Sequence, residues 1–330
     1  MGTLKGIAIM GLAASMAAAM LALAPPPAAA QQQAWRGRAW RDAGLHGDRM
    51  RGDRAQGRRA TSVRGDALPE GVRLVADLAY GSDPAQRLDA YIPAHPNGEA
   101  VLLVHGGGWR RGDKAASPVV ANKLANWSAR GIVVVSVNYR LLPAADPLAQ
   151  AGDVASALAY AQRHAREWGA DASRFVLVGH SAGAHLVALL NADPALARAR
   201  GGSGWRGVVA LDSAALDVTQ IMRSRHPSLY DDAFGSDPAY WRKGSPTLQL
   251  TRAAKPILLV CSSERADSCA QARGFAGAAR RLGGRAEVLP QALSHGEIND
   301  RLGLPGAYTD AVDAFIDSLF APRFAPAHAP

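Results

Sequence analysis

The sequence predicts an α/β fold in which helices cover both faces of a mostly parallel, twisted sheet. From about residue 68 to residue 320, short apolar runs alternate with longer amphipathic stretches, which is typical of strand–helix–strand units. Some runs, such as Val101–Val104, are apolar throughout, as expected of strands buried on both faces. The 330-residue chain is long enough to bury one large core of this kind.

The predicted strands and helices follow one another in order along the chain. The strands are Val72–Leu78, Arg87–Tyr91, Val101–Val104, Ile132–Val137, Phe175–Val178, Val208–Leu211, Ile257–Val260 and Ala286–Leu289. The helices are Asp153–Trp168, Ala182–Leu190, Cys269–Leu282 and Thr309–Leu319, and Asp153 is expected to cap the first of them. The stretch 211–250 is predicted to be an insertion over the site, in which aromatics such as Tyr230 and Phe234 either line a pocket or belong to the core.

The first thirty residues have the pattern of a secretory signal peptide. Lys5 supplies a positive start, the apolar run Gly6–Ala24 follows, and Ala28–Ala30 offers small residues for cleavage. A membrane anchor is the alternative, because the apolar run approaches the length that spans a bilayer. We expect an exported protein, periplasmic or secreted, with residues 1–30 removed and no stable membrane insertion.

The net charge of +9 is concentrated in a segment next to this leader. Nine arginines and three aspartates lie between residues 31 and 65, so this stretch carries most of the excess charge. A segment so poor in apolar residues cannot bury enough surface to fold alone. We therefore predict a disordered linker at 31–66, a catalytic domain at 67–320, a flexible tail at 321–330, and no nucleic-acid partner. An arm that holds the protein near anionic envelope surfaces is the alternative interpretation of the linker.

The chain has two cysteines, Cys261 and Cys269. An exported protein meets oxidising conditions, so a local disulfide between these residues is favoured over two buried thiols.

The strongest chemical motif is a G-x-S-x-G pentapeptide placed between an apolar strand and a helix. It comprises Gly179, His180, Ser181, Ala182 and Gly183. A serine hydroxyl is a poor nucleophile unless it is held at a sharp, exposed turn beside a base, and glycines allow strand and helix to approach around such a turn. The motif therefore predicts Ser181 as a nucleophile.

A second motif follows the strand Val101–Val104 and contains three successive glycines, Gly106–Gly108, before Trp109. Glycines there expose backbone N–H groups to a ligand, and acyl transfer needs such donors where the oxyanion forms. We predict an oxyanion hole made by the N–H groups of Gly107, Gly108 and Ala182, the residue after the nucleophile.

Taken together, the motifs resemble those of α/β-hydrolase esterases with an HGGxW or HGGG loop, including carboxylesterases, feruloyl-esterase-like enzymes and kynurenine-formamidase-like enzymes. The resemblance runs from about Tyr80 to Leu302 and includes the segments Tyr80–Tyr91, Val137–Leu141, Gly179–Leu186, Tyr240–Pro246 and Leu293–Asn299. It implies the α/β-hydrolase fold and leaves the substrate open.

Position selects the base among nine histidines. His295 follows the last predicted strand, where the base of such enzymes must lie to reach Ser181. His180 and His185 flank the nucleophile and are interpreted as structural, and His105 is expected to fix the glycine loop.

Two residues are candidates for the acid. The resemblance implies a Gly-x-x-Asp loop after the penultimate strand, and here that loop departs from the pattern. The more common spacing indicates Glu264, whereas Asp267 lies between the two cysteines, where a bridge would rigidify its loop. We favour Asp267 and keep Glu264 as the alternative.

These residues predict a serine carboxylesterase that cleaves a small-molecule ester through an acyl-enzyme, with no cofactor and no metal. The alternatives are an aryl formamidase using the same residues and a non-catalytic binding module with a hydrolase fold.

Overall fold

The computed structural model describes residues 1–2, 62–63 and 68–321. The chain divides into two units, 1–55 and 56–330, and the fold below belongs to the second. The predicted leader beyond residue 2, nearly all of the arginine-rich segment and the tail after residue 321 lie outside the described residues, so the expectations for them stay predictions.

In the described part of the chain, one sheet contains eight strands in the order β1-β2-β4-β3-β5-β6-β7-β8. Strand β2 pairs antiparallel with β1 and β4, and all the other neighbours are parallel. The strands are β1 (Arg73–Ala79), β2 (Arg87–Ile92), β3 (Gly98–Val104), β4 (Val133–Val137), β5 (Ala170–His180), β6 (Gly207–Leu211), β7 (Ile257–Ser262) and β8 (Ala286–Gln291). The predicted mostly parallel sheet is confirmed.

Helices cover both faces of this sheet. They are α1 (Ser117–Ala129), α2 (Pro147–His164), α3 (Ala182–Ala192), α4 (Ala195–Arg198), α5 (Val218–Met222), α6 (Leu229–Phe234), α7 (Pro238–Lys243), α8 (Pro246–Gln249), α9 (Ala266–Arg281), α10 (His295–Asp300) and α11 (Ala307–Phe320). A short 3₁₀ helix, Ala165–Trp168, follows α2.

The two faces of the sheet bury separate cores, because side chains alternate along a strand. In β3, Leu102 and Val104 pack into the core with helices α2, α3 and α9. Val101 and Leu103, which alternate with them along the strand, pack into the other core with α1 and α11. Burial on both faces explains why Val101–Val104, the buried end of this strand, is apolar throughout.

The capping role predicted for Asp153 is wrong. Helix α2 begins at Pro147, and its N-cap is Asp146, whose carboxylate accepts a hydrogen bond from the N–H of Ala149 at 2.8 Å. Asp153 instead lies buried inside the helix, where its carboxylate binds Arg140 Nε and Nη2 at 2.8 and 2.7 Å.

The insertion after β6 folds into the short helices α5 to α8. Its residues Tyr230 and Phe234 are nearly fully buried, and both rings pack against Trp109 of the glycine loop. Phe234 therefore belongs to the core, whereas Tyr230 packs into the core and also borders a cavity that His226 and Asp267 line. The insertion and the glycine loop hold one another in place.

The predicted disulfide between Cys261 and Cys269 is present. It joins the end of β7 to the first turn of α9 and closes the loop 261–269, called the disulfide loop below. Within the described residues, we find no helix with the length and apolar character needed to cross a bilayer.

Candidate active site

The chemistry-bearing residues collect at the carboxyl ends of the parallel strands, where ligands bind in open α/β sheets. The glycine loop follows β3, Ser181 follows β5, Asp212 follows β6, the disulfide loop begins on β7, and His295 follows β8. Residues from five strands that are distant in sequence thus lie together at one edge of the sheet.

Ser181 occupies a sharp turn between β5 and α3. Its φ of 55° and ψ of −115° lie outside the usual regions for a non-glycine residue. A methyl group on Gly179 would meet the carbonyl oxygen of Gly183 at 2.3 Å, and one on Gly183 would meet that of Val104 at 2.2 Å. Only glycine fits at either position, so the pentapeptide builds the turn that presents the serine hydroxyl.

His295 begins helix α10 and faces the serine. Its Nε2 lies 3.0 Å from Ser181 Oγ. The helix start is fixed by a capping box in which Ser294 and Glu297 bind one another's backbone N–H groups. The structure thus brings together the nucleophile and the base that the sequence proposed.

The carboxylate on the other side of this histidine belongs to Asp212, not to Asp267. Asp212 Oδ2 lies 2.6 Å from His295 Nδ1. Asp267 has a side chain that is 61% exposed and points to Arg265 Nη2 at 3.8 Å, and Glu264 is also exposed. The expected acid is therefore corrected: α9 begins at Ala266, and Asp267 in its first turn faces away from the histidine.

Asp212 is fully buried and carries a dense set of donors. The N–H of Ser262 donates to Oδ1 at 2.7 Å, the hydroxyl of Ser268 donates to the same oxygen, and Arg265 Nη1 donates to Oδ2 at 2.7 Å. Burial alone would raise the pKa of Asp212, but the hydrogen bond from His295 and the charge of Arg265 outweigh it, so the pKa is lowered. The carboxylate is thus ionised.

An ionised Asp212 fixes the protonation of the imidazole ring. A carboxylate only accepts, so His295 Nδ1 must carry the hydrogen that it donates to Oδ2. Nε2 is then left as an acceptor for the Ser181 hydroxyl. This tautomer is the one that a general base needs.

Sequence reasoning missed Asp212 although a signal was present. It is the first polar residue after the wholly buried strand β6, and the residues at such strand ends converge on one edge of the sheet. Its φ of 54° marks a second strained position beside Ser181.

His180 and His185 support the site without facing the hydroxyl. His180 Nε2–H donates to the carbonyl of His295 at 2.9 Å, and burial together with the nearby His295 lowers its pKa to about 3. His185 accepts from Trp109 Nε1 at 3.3 Å and donates to the carbonyl of Gly244 at 2.8 Å, and burial lowers its pKa to about 4. Both rings are neutral and act as structural links.

The glycine loop lies directly against the nucleophile turn. A methyl group on Gly106 would come within 2.9 Å of Ser181 Cβ. Gly107 and Gly108 have φ values of 122° and 61°, which L side chains rarely adopt. His105 is buried, stacks on Tyr139 at 4.5 Å and hydrogen-bonds the carbonyl of Gly106 through Nδ1 at 2.8 Å. Ala182, the third predicted oxyanion donor, is the first residue of α3.

Among the residues that the structure describes, no group of three histidines, cysteines or carboxylates is arranged to hold a metal ion. The fold, the serine turn and the serine–histidine–aspartate chain together define an α/β-hydrolase.

Comparison with known proteins agrees with this class. The family model described as BD-FAE matches residues 88–198. The chain is 26% identical over 265 residues to isoprenylcysteine alpha-carbonyl methylesterase ICME of Arabidopsis thaliana, covering 74% of this chain and 61% of the relative. It is 33% identical over 117 residues to kynurenine formamidase of Danio rerio, covering 34% and 37%. The structure resembles esterase B from Lactobacillus rhamnosis inhibited by a tributyrin phosphonate, with a TM-score of 0.61, 22% identity and coverage of 76% and 87%.

These similarities support an α/β-hydrolase of the esterase kind. The chain spans between 23% and 61% of the length of the plant methylesterases that it matches.

Proposed function

We propose that this protein is a serine ester hydrolase that acts through Ser181, His295 and Asp212. The observation that carries the proposal is the continuous hydrogen-bonded chain from Ser181 Oγ through both nitrogens of His295 to Asp212, beside the glycine loop. Its order and its position at the strand ends match the requirements of a nucleophile, its base and an orienting acid.

In the proposed reaction, Ser181 attacks the ester carbonyl while His295 Nε2 takes the hydroxyl proton. The N–H groups of Gly107, Gly108 and Ala182 stabilise the oxyanion, and each such donor contributes about 3 kcal/mol. His295 then gives its proton to the leaving alcohol, and an acyl-enzyme forms on Ser181. Water, activated by the same base, releases the acid.

Asp212 supports this cycle by holding the imidazole in the acceptor tautomer and by stabilising the imidazolium that forms. The base must be neutral to act, so its Nε2 has to be free to accept the hydroxyl proton at the start of each cycle.

An aryl formamidase is the second candidate, favoured by the similarity to a kynurenine formamidase over 34% of this chain. The same residues can attack a formamide carbonyl, so the two candidates differ in the leaving group and not in the catalytic chain. A non-catalytic binding module with this fold is the third candidate.

We also propose that the protein is exported after cleavage near residue 30, and that residues 31–66 form a basic linker. The N-terminal pattern supports export, and so does the disulfide, since such bonds persist in oxidising compartments. N-terminal sequencing of the protein from fractionated cells tests this: a mature start near residue 31 in the exported fraction is expected. An uncleaved chain in the reducing cytosol would contradict it.

The decisive experiment measures hydrolysis of p-nitrophenyl esters, acetate to decanoate, beside an aryl formamide, for the full protein and for Ser181→Ala. Ester turnover that disappears in the variant is expected, and the best acyl chain sizes the pocket. Faster formamide cleavage would favour the second candidate. A p-nitrophenyl phosphonate that fails to label Ser181 would indicate the binding module.

A further inference from the structure

The donors that surround Asp212 share one origin. Apart from His295, the three donors described above come from Ser262, Arg265 and Ser268, all inside the disulfide loop. The disulfide partners are the chain neighbours of both serines, since Cys261 precedes Ser262 and Cys269 follows Ser268. One covalently closed loop therefore holds the carboxylate that β6 supplies.

We propose that the disulfide loop is a carboxylate clamp and that Arg265 is its positioning residue, which orients Asp212 and, through it, the ring of His295. This inference rests on the proposed serine-hydrolase function and assigns to the loop a role within the same site.

The position of Arg265 fits this role. Its Nη1 lies 2.7 Å from Asp212 Oδ2 and 2.8 Å from His295 Nδ1, so one nitrogen contacts both the acid and the base. Since Nδ1 carries a hydrogen, the arginine donates to the carboxylate. Hydrogen bonds between two ionised groups are the strong ones, so Arg265 anchors the carboxylate that orients the ring.

The other groups near His295 do not replace this cation. The ring of His180, on the nucleophile turn, lies 4.5 Å from the ring of His295 at an angle of 37°, and it is neutral. Lys123 binds the carbonyl of Asn299, at the far end of helix α10. Glu297 lies on the same helix as the base and contacts Arg301 on its outer surface. Arg265 is thus the cation that touches the ring among the described residues.

The clamp also explains the place of the disulfide. Arg265 is 29% exposed, and its second nitrogen lies 3.8 Å from Asp267, which is itself exposed. Closing the loop limits the conformations in which Ser262, Arg265 and Ser268 can converge on Asp212. Reduction of the disulfide should loosen the acid without touching Ser181.

The test compares Arg265→Met and Arg265→Lys with Arg273→Met, an exposed arginine on α9 that serves as the control. We expect Arg265→Met to lower kcat about tenfold with KM within about twofold. Arg265→Lys should restore kcat only in part, because the positive charge returns but an ammonium lacks the planar fork of the guanidinium. Arg273→Met should match the wild type.

A second arm uses the wild-type protein and the double variant Cys261→Ser, Cys269→Ser. Treatment with a phosphine reductant should lower kcat of the wild type severalfold and leave the double variant, already impaired, unchanged. Circular dichroism melts verify that each variant is folded. If Arg265→Met keeps the wild-type kcat, or if the reductant leaves the kcat of the wild type unchanged, the proposed clamp is wrong.

If the proposed serine-hydrolase function itself is wrong, the phosphonate will not label Ser181 in the wild type. If the wild type is labelled and active while the Arg265 and reductant arms show no effect, only the clamp is wrong.

Discussion

The two halves of the site are held in place by different forces. The nucleophile half, with Ser181 and the glycine loop, is fixed by the backbone: glycines pack so closely that a single methyl group would overlap a carbonyl oxygen. The acid half, with Asp212 and the disulfide loop, is fixed by side-chain hydrogen bonds and one ion pair. The nucleophile half should therefore tolerate almost no added side-chain atoms at its glycines. The acid half depends on charge and on hydrogen-bond donors, which conservative substitutions can retain.

The largest effect should follow from a methyl group in the nucleophile half. In Gly183→Ala the new Cβ would meet the carbonyl of Val104 at 2.2 Å, so strand β3 and helix α3 must separate. We expect loss of at least about 3 kcal/mol of stability and of more than 99% of activity. Urea denaturation and ester hydrolysis measure the two effects.

The matched control is Gly274→Ala on helix α9, where a Cβ would meet no atom within 4 Å. This variant should keep wild-type activity and be at least as stable as the wild type, because the added methyl group meets no neighbour and alanine has a higher helix propensity than glycine. If Gly183→Ala were tolerated as well as Gly274→Ala, close backbone packing would not be what fixes the nucleophile half.

A smaller effect should come from His180, which connects the two halves. Its ring donates to the carbonyl of His295 from the residue next to Ser181. We expect His180→Ala to lower kcat about tenfold and stability by about 1–3 kcal/mol, because a partly buried carbonyl loses its donor. Steady-state kinetics and thermal melts check this against His164→Ala, a more exposed histidine on α2. Equal kinetics for the two variants would show that His180 does not position the base.

The smallest effect concerns stability alone and involves Lys123, which is 2% exposed. Its Nζ donates to the carbonyls of Asn299 and Pro118 at 2.5 and 3.1 Å, and so links α1 to the base helix α10. Burial lowers its pKa to about 7, although Asp300 opposes the shift. In the unfolded chain the pKa returns to 10.5, so between these values the folded state holds fewer protons.

Stability should therefore rise with pH above about 7, and the cost of the buried charge is fully present below that pH. From pH 7 to pH 9 the free energy of unfolding should increase by about 1–3 kcal/mol in the wild type relative to Lys123→Met. Denaturation at both pH values measures it. Parallel pH dependence in the two proteins would contradict a buried lysine with a lowered pKa.

The contrast between the halves also explains how far sequence reasoning reached. Backbone constraints leave a motif, because only glycine fits at Gly179 and Gly183, and so the strand–turn–helix around Ser181 was predicted from sequence. A side-chain network leaves a weaker mark. Asp212 is the first polar residue after β6, but its partners lie far away in the sequence, Ser262 at 50 residues and His295 at 83, and no motif connects them.

The prediction of Asp267 as the acid was wrong because of where helix α9 begins. A bridge between Cys261 and Cys269 does fix a loop beside the acid, as expected. Helix α9, however, starts at Ala266 rather than at the predicted Cys269, and this turns Asp267 outward while Arg265 and Ser268 face Asp212. An error of three residues in a helix start thus changes which side chain reaches the site.

The most direct measurement of the central claim compares kcat for Asp212→Asn and Asp267→Asn on one p-nitrophenyl ester. An amide at position 212 cannot hold the imidazole in the acceptor tautomer, so we expect kcat to fall about 10²- to 10⁴-fold. Asp267→Asn should stay within about twofold of the wild type, as expected for an exposed ion pair. The opposite result, with Asp267→Asn inactive and Asp212→Asn active, would contradict the proposed catalytic chain.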